Sequence, residues 1–330
     1  DAERGAARAG AAADEEGPVS RRGGDDQLAL VDVVGHGELP RAPGAAGERT
    51  AAVEPGDLGE EVGHLAGVRR MVEAAGQAGY HLLPFPCPPD HAQVEAYQEL
   101  VDTNRVDGFI LSSTNVDDQR IAYLQKIRFP FVAFGRANAD WDFPFIDVDG
   151  LAGLRVATEH LLGLGHRRIG AIAWPEDSHT GTLRLQGYHT ALAQAGIPID
   201  PAWIVRGEHS AAFGRRATAE LLNLPPARRP TAIVALSDLM AIGAMNEIHD
   251  RGLEAGRDIA VIGFDDVPMA QYLRPPLTTL RQPVWEIGQR AIAMLLKLLP
   301  GETLPERHVL LPPELVVRAS SGGLRTEATS

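Results

Sequence analysis

With a single cysteine, Cys87, the 330-residue chain can close no disulfide of its own and can build no cysteine-based zinc site. It has no apolar run near the roughly 18 residues that a membrane helix needs, so no membrane partner is expected. Lysine is nearly absent: of the 31 basic side chains only Lys126 and Lys297 are lysine. Acidic side chains number 44, for a formal net charge of −13. Such a chain does not hold nucleic acid by bulk attraction, though it can carry one small basic module. Catalytic signatures are missing too. There is no Gly-x-Ser-x-Gly elbow, no GxxxxGK[ST] phosphate loop and no His-Glu-x-x-His, and the eleven histidines have no metal-ligand spacing. A Ser-His-Asp triad drawn from distant residues stays open, but the expectation is no enzyme, no cofactor and no metal.

The length predicts about two domains. Hydrophobic residues at 44% suffice for a core without metal or disulfide support. The first fifty residues are a different material. Ala, Gly, Arg, Asp and Glu make up 36 of them, and only Leu28-Ala29-Leu30-Val31-Asp32-Val33-Val34 is able to bury anything. A segment of that composition cannot offset its ordering entropy, so residues 1–50 are expected to be disordered. No 7–15-residue apolar stretch follows a basic start, which reads as a cytoplasmic chain without a secretory leader.

From about residue 54 the pattern alternates. A helix is predicted over 63–79, with Leu65, Val68, Val72 and Ala75 on one face and Gly79 as its cap. Strands are predicted over 80–85, 106–111, 131–134, 168–173, 202–205, 232–235, 259–264, 309–311 and 315–317. Between them come helices over 91–104, 118–127, 151–164, 182–195, 211–224, 238–252 and 284–299. Apolar strands without alternation are covered on both faces. Strict alternation implies right-handed crossovers and parallel sheets. Two such blocks, near 50–147 and 148–281, predict two α/β lobes with a ligand cleft between them.

Ligands of open parallel sheets bind beyond the carboxyl ends of strands. That rule selects the loops starting at Gly135, Trp174, Gly207, Ser237 and Asp265. They hold Arg136, Arg184 on the following helix, Ser237-Asp238 and Asp265-Asp266. Asp147 and Asp149 stand at the lobe boundary, and Gln282 precedes the last long helix. Carboxylates that accept hydroxyl protons and guanidinium groups that donate in a fixed plane suit a polyhydroxylated ligand. His209 or Phe213 offers a face for a sugar ring. Taken singly, each residue reads equally well as a cap or a surface charge, Asp238 as the N-cap of its helix. Their shared position at strand ends favours one site. Other features read blandly: Asp57-Leu58-Gly59-Glu60-Glu61 as a solvated turn, Pro84-Phe85-Pro86-Cys87-Pro88-Pro89 as a stiff loop with an inert thiol. Residues 291–299, with Met294, Leu295 and Leu298, read as lobe core or as a dimer face.

Seven motifs, in order, resemble the effector domain of LacI/GalR-type transcription regulators over residues 67–320. They are Val106-Asp107-Gly108-Phe109-Ile110-Leu111, Phe129-Pro130-Phe131-Val132-Ala133-Phe134-Gly135-Arg136, Gly165-His166-Arg167-Arg168-Ile169, Arg184-Leu185-Gln186-Gly187-Tyr188, Ser237-Asp238-Leu239-Met240-Ala241-Ile242-Gly243-Ala244, Val261-Ile262-Gly263-Phe264-Asp265-Asp266 and Pro276-Leu277-Thr278-Thr279-Leu280-Arg281-Gln282-Pro283. The resemblance implies a periplasmic-binding-protein-like α/β fold of two lobes joined by three crossovers. The lobes would be 51–147 with 283–311 and 148–282 with 312–320, followed by a tail over 321–330. It also implies a homodimer, operator DNA as partner, and a sugar-like effector in the cleft.

By the same resemblance Arg184 and Asp265 are central effector contacts. Arg136, Ser237 and Gln282 line the cleft, and His209 stands where relatives often carry an aromatic. The front departs from the family. Its helix-turn-helix is not readable in residues 1–50, where six arginines face ten carboxylates. A shifted reading frame or a decayed start is expected there. The favoured reading is a regulator whose effector modulates operator binding. The alternative is an effector-binding sensor or solute-binding protein without DNA-binding activity in this chain.

Overall fold

A computed structural model describes residues 49–53, 71–73, 75–85 and 93–322. The low-complexity front up to residue 48, most of the helix expected over 63–79, the loop at 86–90 with Cys87, and residues 323–330 lie outside the described residues.

Two parallel sheets carry the structure. The first has six strands in the order β11-β5-β4-β3-β1-β2. These are β1 (Arg49–Val53), β2 (Tyr80–Pro84), β3 (Gly108–Leu111), β4 (Phe131–Phe134), β5 (Phe145–Val148) and β11 (His308–Leu311). The second has four, β7-β6-β8-β9. They are β6 (Ile169–Ala173), β7 (Ile204–Arg206), β8 (Ala232–Ala235) and β9 (Ala260–Ile262). Strands β3, β6 and β8 are buried along their whole length, as apolar runs flanked by helices on both faces should be.

The aromatic residues are unevenly shared. Seven of the nine phenylalanines fall between Phe85 and Phe145. Phe85, Tyr97 and Phe109 meet at ring-centroid distances of 4.6–6.0 Å and fill the first sheet's core beside helix α1 (Gln93–Asp102) and helix α2 (Gln119–Ile127). The second sheet is lined by Ala171, Ala173, Ala217, Ala232, Ala235 and Ala241, so its helices approach closely.

The crossover loops end in helix caps, which place the residues around them. Asp149 accepts from Ala152 N at 2.9 Å and starts helix α3 (Gly150–Gly163). Ser178 accepts from Gly181 N at 3.1 Å and starts helix α4 (His179–Gln194). Ser210 accepts from Phe213 N at 3.0 Å and starts helix α5 (Ala211–Asn223). Ser237 accepts from Met240 N at 3.3 Å and starts helix α6 (Asp238–Asp250). Each such cap stabilises its helix by about 1 kcal/mol. The last long helix, α7 (Val284–Leu298), packs on β3, β4 and β5 of the first sheet.

Several expectations need correction. β1 begins at Arg49, in the last two residues of the segment expected to be disordered, where the resemblance leaves only a reduced first strand over 50–53. It lies between β2 and β3, an interior place in the first sheet. β5 was not predicted, because Asp147 breaks a short run that follows Pro144. Pro201–Trp203 is a 3-10 turn where a strand was expected, started by Pro201 and capped by Asp200. Not every strand is parallel: β10 (Thr279–Arg281) and β12 (Glu314–Val316) pair antiparallel as a separate ribbon. The tail begins later than residue 321. Ser320 and Ser321 are buried, and the Ser320 hydroxyl donates to Val261 O at 2.7 Å.

Candidate functional site

The carboxyl ends of both sheets collect the candidate residues. In the first sheet, Arg136 follows β4 after Gly135. The Thr114 hydroxyl donates to the Arg136 carbonyl at 2.9 Å and fixes the backbone there. The Arg136 guanidinium donates from Nε to Asp147 Oδ2 at 2.7 Å. His179, at the start of α4, faces this pair. Burial holds its pKa below the usual value, Arg136 lowers it further, and Asp147 opposes.

In the second sheet, Arg184 on α4 is buried. Its Nη1 donates to the Leu236 carbonyl at 2.6 Å and lies 3.7 Å from Asp265 Oδ1. The guanidinium carbon is 3.7 Å from the Phe264 ring centroid and 4.7 Å from that of Trp174. Asp265 Oδ1 accepts from Gln282 Nε2 at 2.7 Å. Its Oδ2 lies 3.4 Å from the backbone N of Asp238, at the start of α6. Asp265 adopts φ 126°, sparsely populated for a side-chain-bearing residue. His209 reaches the group through Trp174, with ring centroids 5.1 Å apart.

Arg184, Asp265 and Gln282 therefore form one bonded network, with His209 attached through Trp174. Arg136 stands apart in the other sheet, bonded to Asp147. Ser237 is fully buried and its hydroxyl serves as the cap of α6, so the cap is Ser237 and not Asp238. Asp238 is buried one residue further on. Its Oδ1 accepts from the Thr279 hydroxyl at 2.5 Å and its Oδ2 from Val267 N at 2.9 Å. Burial pushes its pKa up to about 6, against the pull of those two hydrogen bonds.

Sequence reasoning missed Trp174 and Phe264, the two rings that sandwich Arg184. Trp174 marked only the start of a loop; its packing depends on Gly181, seven residues on in the next helix. A Cβ there would lie 2.8 Å from the Trp174 Cβ. Gly150, the first residue of α3, does the same for Arg184, since a Cβ would lie 2.8 Å from its Cγ.

A family model described as a periplasmic binding protein-like domain matches residues 158–321. The chain is 34% identical to the HTH-type transcriptional repressor CytR of Escherichia coli (strain K12) over 257 residues, 78% of this chain and 75% of that protein. The chain belongs to the LacI/GalR family of transcription regulators. A crystal structure of a LacI-family regulatory protein from Chloroflexus aggregans is 47% identical, with a TM-score of 0.77, covering 83% of this chain and 98% of that one. The complex of the transcriptional regulator CelR with cellobiose is 30% identical, with a TM-score of 0.76 over 82% of this chain and 84% of its own. Members of the LacI/GalR family with these names are transcription regulators and not enzymes. Among the described residues of this LacI/GalR member, no helix is long and apolar enough to cross a membrane, and no cluster of His, Cys, Asp and Glu is arranged to hold a metal.

Proposed function

We propose that this LacI/GalR-family chain is a homodimeric cytoplasmic regulator whose cleft binds a sugar or similar small polar effector, and that the effector alters its grip on operator DNA. The observation that carries the reading is the Arg184–Asp265–Gln282 network. A guanidinium, a carboxylate and a carboxamide, held at adjoining strand ends, present donors and acceptors side by side. A polyhydroxylated ligand needs that mixture. The cellobiose complex of CelR supports a sugar, since that relative of the same fold binds one. Arg136 and Asp147 supply the facing wall from the first sheet, with His209 at the edge, while the buried Ser237 supports the site as the cap of α6. Effector binding changes the angle between the sheets and so the population of the DNA-competent dimer.

The test is DNA binding by the full chain to the gene's own upstream region at about 0.15 M salt, where non-specific contacts are weak. Sugars are added in turn. A sugar that changes DNA affinity supports the reading. Sugar binding without DNA binding would replace it by an effector-binding sensor.

A further inference from the structure

Two buried N–H groups in the candidate site have no hydrogen-bond partner: Nε of Arg184 and Nε1 of Trp174. Both only donate. A buried donor left unmade carries a penalty that a ligand acceptor would remove. They lie close together, because the Arg184 guanidinium carbon is 4.7 Å from the Trp174 ring centroid.

Trp174 is also held firmly. Arg206 Nη1 donates to its carbonyl at 3.2 Å, Gly181 makes room for its Cβ, and His209 lies against its ring. The chain thus fixes the indole while leaving its N–H unused, which a residue that merely packs would not require.

Charge narrows the ligand. Arg184 faces Asp265 at 3.7 Å, and Arg136 faces Asp147 at 2.7 Å. Each of these two guanidinium groups already has a carboxylate beside it, and Arg206 at the end of β7 has Glu176 at 3.9 Å, so no surplus positive charge awaits a phosphate. An anionic ligand would instead meet Asp265 and Asp147.

Resting on the effector reading above, we infer that Trp174 is a specificity-determining residue. Its indole N–H and the Arg184 Nε–H form a subsite for an acceptor oxygen of an uncharged ligand, and the cleft selects neutral sugars over sugar phosphates.

The test uses the full chain with D-ribose, D-glucose and cellobiose as neutral probes and ribose 5-phosphate as the anionic one. Binding is read by thermal stabilisation and by the indole N–H resonances in a proton–nitrogen correlation spectrum. Trp174→Phe keeps a ring over Arg184, removes one donor and identifies the Trp174 resonance. A neutral sugar should stabilise the wild type and shift the Trp174 resonance. Its affinity should fall about three- to tenfold in Trp174→Phe, with the ligand-free melting temperature nearly unchanged. Ribose 5-phosphate should bind more weakly than ribose. Should the variant fold poorly, Trp141→Phe, Trp203→Phe and Trp285→Phe assign the other three indole resonances, and the wild-type shift of the fourth still decides. A bound sugar that leaves the Trp174 resonance unmoved, or a phosphate that binds as well as ribose, overturns this subsite but not the effector reading. If no neutral sugar binds the wild type, both fall.

Discussion

The two sheets end in the same chemistry under different solvation. At the first, Arg136 and Asp147 meet at 2.7 Å with side chains 21% and 12% exposed. At the second, Arg184 and Asp265 stand 3.7 Å apart, 6% and 9% exposed. The shorter pair is the wetter one. Arg136 keeps part of its surface in water, although the Asp147 it holds is itself buried. The longer pair has been taken out of water and leans on others: the Leu236 carbonyl, two aromatic faces and Gln282. Distance alone would rank them the wrong way round. Burial decides which pair the fold depends on.

Four substitutions sharpen or break that contrast. Asp265→Ala should have the largest effect. It should abolish ligand-induced stabilisation and also lower stability itself, because Arg184 stays buried without its carboxylate. About 3–5 kcal/mol should be lost, read from the urea midpoint. A loss under about 1 kcal/mol would mean that this pair is no more structural than the exposed kind.

Gly150→Ala comes next. Its new Cβ pushes on Arg184 Cγ from the far side of the network, costing about 1–3 kcal/mol despite alanine's better helix propensity. The same unfolding curve, with sugar titration beside it, checks whether ligand affinity falls together with stability.

Asp238→Asn tests the dry side by pH. Burial raises the Asp238 pKa from its ordinary value to about 6 in the folded protein. Its stabilisation is therefore complete at pH values below the unfolded pKa and is lost as pH rises through about 6. His160 and His166, whose pKa values burial lowers, act oppositely: their contribution is lost as pH falls below about 6.5. Relative to the wild type, Asp238→Asn should gain stability between about pH 4 and pH 6, measured by thermal melts across that range. A flat difference would refute the shift. Arg136→Ala should have the smallest effect on folding, about 1 kcal/mol by urea denaturation, because it leaves the buried Asp147 carboxylate without its guanidinium while water can enter beside it.

Much of this arrangement was legible in the sequence, for identifiable reasons. Strands such as Ile169–Ala173 and Ala232–Ala235 are short apolar runs between polar loops, and such runs identify themselves. Arg184, Asp265 and Gln282 were readable because they sit in strongly patterned motifs at strand ends. β5 and β10 were not, since Asp147 and Thr279 are polar residues that become buried only through tertiary contacts. Trp174 was invisible as a site residue because its surroundings come from α4, β7 and the loop after β7, brought together only by folding.

One feature of the backbone bears on motion. Three stretches of chain pass between the sheets: from β5 into α3, from β10 into α7, and from β11 into β12. Leu280 pairs with Leu315 and Arg281 with Glu314, so two of these stretches are stitched together at the second sheet. Asp149 N donates to Leu311 O at 2.8 Å and fastens the third at the first sheet. The three connections therefore bend as one strap with a single shared axis. A change in the direction of one connection must thus be shared by the other two or break these backbone bonds.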